Sequence, residues 1–258
     1  MTSFLTWVGS HTLRLFQRLG LFVFFFAHAL KGIFRGVWSR KELMDQMERI
    51  GVGSVFMVSV TSAFVGMVMA VQTLDQFVRF GATSFIGGVL ALSLVREMSP
   101  VLTGLVVTGR VGAAMAAEIS SMKVTEQLDA FRAFGLDDVT FVGVPRFLAS
   151  LVMLPLLTIY SFVIGIAGGF LYVYAHGVGP QIFRRSVEVL LEPADLFGSV
   201  LKGALFGVII AVTACSEGFH AETGARGVGA ATTQAVIWGN MLILVFNYIL
   251  SALLFGGA

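Results

Sequence analysis

The chain has 258 residues, 57% of them hydrophobic and only 12% charged, against about 25% charged in an ordinary soluble domain. A soluble fold is excluded, and the long apolar runs without strand-like alternation exclude a membrane barrel, which leaves an all-α integral membrane protein. The net charge of +2 carries no message in itself, and the single cysteine, Cys215, excludes an intrachain disulfide and a cysteine-built metal site.

Residues 1–50 are predicted as interfacial and re-entrant helices, ahead of a transmembrane domain over 51–258. Phe4, Trp7, Val8, His11, Leu15 and Leu19 recur at helical spacing, with Arg14 and Arg18 on another face. That pattern suits an amphipathic helix lying in the interface. The run LGLFVFFFAHAL at 19–30 is too short to span and predicts a re-entrant or interfacial segment. Ala27-His28-Ala29 imitates a signal-peptide cleavage site. Cleavage there would leave Lys31, Arg35, Arg40, Lys41 and Arg49 at a translocated terminus, against the charge rule, so residues 1–38 are expected to stay attached.

Five spans follow, over 52–71, 85–117, 147–175, 200–215 and 231–256. The second is broken by Arg96, Glu97, Pro100 and Arg110, the third contains Pro155, and the fourth carries Lys202 near one end. With the N-terminus inside, twelve Lys and Arg fall on inside segments and three, Arg79, Arg184 and Arg185, fall outside. This positive-inside bias places the C-terminus outside. Close helix contacts are expected at Gly109, Gly112 and Ala116 and at the Gly203/Gly207 pair.

Arg96 and Glu97 are the charges that need explaining. Placing such residues within a span costs roughly 2.5–3.5 kcal/mol each on insertion scales. Neighbours on a helix do not face each other, so each needs another partner. Pro100 has no N–H, which frees the carbonyl of Arg96 and predicts a kink. Charges and a freed carbonyl are tolerated where they line a polar cavity. A structural ion-pair network between helices is the competing reading. In the cavity reading Arg96 suits a phosphate, Glu97 a cationic amine or a neighbouring lysine, and Lys202 is a second cation unless it snorkels to the interface. Asp75 and Arg79, four apart, read as a surface pair.

The inside loop 118–146 holds SMKVTEQLDAFRAFG at 121–135, with Val124, Leu128 and Phe131 at i, i+4 and i+7 and Gly135 as a stop. A short amphipathic helix is predicted there, either docking a partner or resting on the membrane surface. Asp129-Ala130-Phe131 with Gly135 and Pro145 resembles the loop by which importer permeases couple to their ATPases. The chain itself has no P-loop and no hydrolase or metal-binding motif.

EMSPVLTGLVVTGRVGAAMAAEISSMKVTEQLDAF at 97–131 and GFHAETGARGVGAATTQAV at 218–236 resemble the MlaE/YrbE permease family of MCE-type lipid transporters. Two departures stand out: Ile119-Ser120-Ser121 replaces a Leu-Gly-Thr-like step, and Asn247 stands where many members have Asp. The resemblance implies a bacterial inner-membrane homodimer beneath a periplasmic MCE-domain ring. It also implies two cytoplasmic ABC ATPases that carry the ATP and Mg, and often a STAS-domain subunit. The cargo would be phospholipid moved between inner and outer membranes. Glu126, Leu128, Asp129, Phe131 and Arg132 would then couple to the ATPase. Arg96, Glu97 and Lys202 would meet substrate, with Pro100 at a kink and no cofactor in the chain itself. A permease for a sterol or fatty acid, or a non-transporting scaffold, are the alternatives.

Overall fold

The computed structural model describes residues 2–36 and 38–256, in which every regular element is helical. The elements are α1 (Thr2–Arg35), α2 (Arg40–Ile50), α3 (Val52–Arg79), α4 (Thr83–Val124), α5 (Gln127–Ala133), α6 (Val139–Ala175), α7 (Pro180–Leu190), α8 (Pro193–Phe219) and α9 (Ala225–Phe255). By length and composition six helical segments could cross a membrane: the five expected spans and Phe16–Phe34 within α1. The chain is an all-α membrane protein.

The N-terminal segment differs in form from its expectation. It is one unbroken helix, not an interfacial helix followed by a re-entrant one. The apolar segment that was too short at 19–30 extends in both directions once Phe16 and Phe34 are included. Its partners locate it. Arg18 donates to Glu217 Oε1 at 3.0 Å and to Gln234 Oε1 at 2.8 Å. Phe22 meets Trp238, Phe25 meets Phe219, and Phe26 meets Phe147. His28 Nε2 lies 2.7 Å from Asp137 Oδ2. All these partners lie in the α5 half of the bundle, so residues 18–28 of α1 pack against that half. The side chains of Phe4, Trp7, Val8, His11, Arg14 and Leu15 lie outside the described residues.

The bundle is held by small residues, as expected where lipid offers no hydrophobic incentive for helices to associate. On α3 every fourth residue is buried: Ser54, Val58, Ser62, Gly66, Ala70 and Leu74. That stripe lies on α6, where Ser62 and Ser161 share a hydrogen bond of 2.7 Å and Ser59 bonds Tyr160 at 2.6 Å. A Cβ on Gly66 would stand 1.9 Å from the carbonyl oxygen of Gly165, so only glycine lets these backbones approach so closely. Gly207 does the same against Ser150 O on α6, and Gly203 against Thr158 and Pro155, as expected of that pair. Gly109 meets nothing within 4 Å and Gly112 makes only ordinary contact; Gly104, against Phe206 and Ile243, is the closer approach. The core below this seam joins α4, α8 and α9 through Val107, Met115, Phe206, Ile210 and Ile243.

Two further elements exceed expectation. The fourth span begins at Pro193, seven residues before the apolar run, because Glu192 and Asp195 form a capping box. The loop between α6 and α8 contains α7, started by Pro180 and docked through Phe183 and Ser186, whose Oγ accepts from Gly88 N at 2.8 Å.

Candidate substrate site and coupling helix

α4 is a 42-residue rod that widens twice into π turns, at Leu94–Met98 and at Thr108–Gly112. The first holds Arg96 and Glu97. It ends at Ser99-Pro100, where the proline offers no N–H. The carbonyl of Arg96 is nevertheless satisfied, since Lys202 Nζ donates to it at 2.7 Å. A π turn, often found at functional positions, is the form the predicted distortion takes.

Lys202 does not snorkel. It is fully buried on α8, and its three protons are all placed: on Arg96 O, on Glu97 Oε1 at 2.9 Å and on Ser251 Oγ at 2.7 Å. Glu97 is bound on its other side by Asn247 Nδ2 at 2.8 Å, and Ser251 Oγ lies 2.6 Å from its Oε1. Asn247 therefore donates to the carboxylate, which an aspartate there could do only if protonated. Arg96 Nε donates to Asp195 Oδ1 at 2.7 Å, and the other Asp195 oxygen accepts from Glu192 N. The Phe255 ring covers both cations, with its centroid 4.7 Å from Arg96 Cζ and 5.2 Å from Lys202 Nζ. Gly198 makes room for that ring, because a Cβ there would come within 2.7 Å of it.

The four charges sum to zero and divide by depth. Lys202 and Asp195 are 0% and 3% exposed, whereas Arg96 and Glu97 keep 30% and 36% of their side chains exposed. The buried members fix the outward ones, which present a guanidinium and a carboxylate side by side on the surface of the single chain. Asp195, Asn247, Ser251 and Phe255 complete the site; of these only Asn247 stands out in the sequence, as a departure from the family pattern and not as a site residue. Asp195 announces itself only as the last residue of a Glu-Pro-Ala-Asp capping box.

At the other end of the rod the predicted 121–135 helix is two elements. Residues up to Val124 belong to α4, Glu126 turns the chain at φ +60°, and α5 has seven residues. The stop at Gly135 holds, with φ +73°, Leu136 N bonding Phe131 O and Gly135 N bonding Arg132 O. Leu128 is buried, and Phe131 stacks toward Phe141 at 5.2 Å. These two hold α5 to the bundle, while Glu126, Asp129 and Arg132 remain exposed together with Phe134. Arg132 is steadied by Asp129 at 3.2 Å and Asp138 at 2.6 Å. Beside it, burial would raise the Asp137 carboxyl, but bonds from Thr140 and His28 outweigh that and hold it below the ordinary carboxylate value. Lys123 donates to the carbonyls of Phe219 and Ala221, which fastens this end of α4 to the end of α8. Asp75 and Arg79 are an exposed pair at 3.6 Å, as expected.

A bundle of apolar helices that carries ion pairs within it and ends in a short helix with exposed charges has the make-up of a multi-pass membrane protein. The chain belongs to the MlaE permease family, whose description matches residues 43–253. It is 43% identical to a probable ABC transporter permease protein of Synechocystis sp. over 96% of this chain and 95% of that one. A probable ABC transporter permease protein of Rickettsia typhi is 39% identical over 96% of each chain. The chloroplastic protein TRIGALACTOSYLDIACYLGLYCEROL 1 of Arabidopsis thaliana is 40% identical over 88% of this chain and 65% of that one. The chain is thus an ABC transporter permease, a class that implies an ATPase partner.

Proposed function

We propose that this chain is the phospholipid-moving permease subunit of an MCE-type ABC transporter, working as a homodimer in a bacterial inner membrane. The reading rests above all on Arg96 and Glu97, two opposite charges held at the chain surface by buried counter-charges. A zwitterionic or anionic headgroup needs a cation for its phosphate and an acceptor for its amine. A second copy facing this surface would turn it into a cavity that is polar here and apolar elsewhere. The plant relative bears the name of a glycolipid, which agrees with a lipid cargo. α5 docks a cytoplasmic ATPase, which supplies ATP and Mg chemistry. A periplasmic MCE-domain protein receives or delivers lipid at the other end, and a STAS-domain subunit joins the ATPase. The N-terminus is cytoplasmic and the C-terminus periplasmic.

The test is to purify the chain with its neighbouring ATPase and MCE proteins and to identify extracted lipids by mass spectrometry. Transfer of a fluorescent phospholipid from reconstituted vesicles is then followed with and without ATP. Co-purified phospholipid and ATP-dependent transfer are expected. A sterol or fatty acid as the sole bound molecule, or a complex without lipid, refutes the reading.

A further inference from the structure

A second cationic feature lies on the same rod, about 21 Å from Arg96 at 1.5 Å per residue. Arg110 occupies the other π turn. Its Nη1 donates to Ser54 Oγ at 2.9 Å and to the Arg49 carbonyl at 3.2 Å. The guanidinium therefore sits where the charged helix α2 gives way to the uncharged stretch that begins at Val52, which is the level of lipid headgroups. Gly53 is what admits it, since a Cβ there would stand 2.5 Å from Arg110 Nη2.

The neighbouring charges leave Arg110 in surplus. Glu118 is fully occupied, with Oε1 bound by Arg49 at 2.6 Å and Oε2 by Arg146 at 3.0 Å. Glu42 accepts from Gln46 and lies 4.0 Å from Arg146. Three arginines thus face two carboxylates, and among the described residues no carboxylate comes within ion-pair reach of Arg110. Beside it is an open pocket of about 320 Å³ between α2 and α4. Arg49, Arg110 and Glu118 stand on its walls, together with the apolar Val111, Ala114 and Met115.

We infer that this pocket binds the phosphate of an anionic phospholipid from the leaflet on the α5 side. Arg110, with Arg49 beside it, takes the phosphate, and Val111, Ala114 and Met115 take the glycerol and first methylenes. Basic pockets between membrane helices hold anionic headgroups in this way. This goes beyond the transport reading, because it is a separate lipid site at the other end of the rod from Arg96.

The complete complex is placed in nanodiscs of phosphatidylcholine with one part in five phosphatidylglycerol. Retained lipid is counted by native mass spectrometry after mild delipidation. Arg110→Gln is expected to lower phosphatidylglycerol retention about tenfold, the scale of one lost charge-assisted bond, and Arg110→Lys is expected to lose less. Ala114→Phe, which fills the pocket and keeps the charge, should lose the lipid as well and decides the matter if Arg110→Gln does not fold. Arg96→Ala should keep it, so this site and the transport reading fail separately. Wild-type retention in Ala114→Phe or in a folded Arg110→Gln overturns the inference. Equal retention of phosphatidylcholine, or displacement of the lipid by millimolar inorganic phosphate, does so too, the latter marking a free-anion site.

Discussion

Removing Glu97 should cost more than removing Lys202, although the two form one ion pair. In Glu97→Ala a fully buried ammonium keeps two neutral acceptors, Arg96 O and Ser251 Oγ, and loses its counter-charge. Breaking a buried pair costs about 3–5 kcal/mol, and the two remaining acceptors put this case near 3 kcal/mol. In Lys202→Met the carboxylate left behind is 36% exposed and keeps Asn247 and Ser251 as donors. The Arg96 carbonyl also loses its donor, so the loss is about 2 kcal/mol, the scale of a charge-assisted hydrogen bond with water as a partial substitute. The double variant should recover most of the stability, because no buried charge is left alone. Thermal unfolding of the detergent-solubilised complex should therefore rank wild type first, then the double variant and Lys202→Met, with Glu97→Ala last. Transport separates structure from function: if Glu97 also meets substrate, the double variant regains stability and not lipid transfer. Recovery of both would refute a substrate role for Glu97. Equal destabilisation by the two single variants would refute the burial argument.

Leu128→Ala should loosen α5 by about 2–5 kcal/mol, the order of a large-to-small change at a buried position, because Leu128 is its buried anchor; ATP hydrolysis that stays coupled to transport in that variant would contradict a coupling role. Glu126→Gly should raise stability by about 1 kcal/mol in thermal unfolding, because a side chain at φ +60° is disfavoured by that order. Gly66→Ala should abolish folded protein in fluorescence-detected size exclusion, whereas Gly165→Ala, whose Cβ would meet its nearest neighbours at 3.5 Å, should be far milder. Cysteines at positions 10 and 40, in a Cys215→Ser background, should both resist periplasmic labelling if α1 stays on the α5 side; labelling at 10 alone would mean that α1 crosses.

Much of the fold is legible in the sequence because membrane burial is a local property. An apolar run predicts a span whatever its neighbours are, and four of the five predicted runs lie within observed helices, the fifth passing its helix by the one residue Gly256. What was missed lies at element ends, where the reason is a specific bond. Asp195 and Glu192 extend α8 by capping it, and the positive φ at Glu126 separates α5 from the rod, so the predicted 121–135 helix became two. Neither leaves a trace in hydropathy. The Leu128 and Phe131 positions had the right period, but a period says only that one side is apolar, and that side turned out to face this chain's own bundle.

The site divides along the same line. Arg96 and Glu97 stand out because a charge in an apolar run is conspicuous by itself. Their partners are 99 and 105 residues away, on a helix whose rotation relative to α4 is set by Gly203 and Gly207 against α6. A change of one residue in that register would turn Lys202 by about 100°, away from the freed carbonyl of Arg96. Pro100, Lys202 and the two glycines are therefore one device: the proline opens an acceptor, and close packing delivers the ammonium that fills it. Sequence reasoning found each part and could not join them, because the joint is made by backbones in contact and not by residue type. Gly207→Ala consequently tests the assembly more sharply than another charge removal. A Cβ 2.5 Å from Ser150 O must push α8 outward, so Glu97 should lose its ammonium partner while every charged residue remains in the chain. Spectroscopic distances between labels on α4 and α8 should lengthen, and lipid retention at the outward charges should fall with them. Unchanged distances with normal transport would mean that the small-residue seam does not set the site.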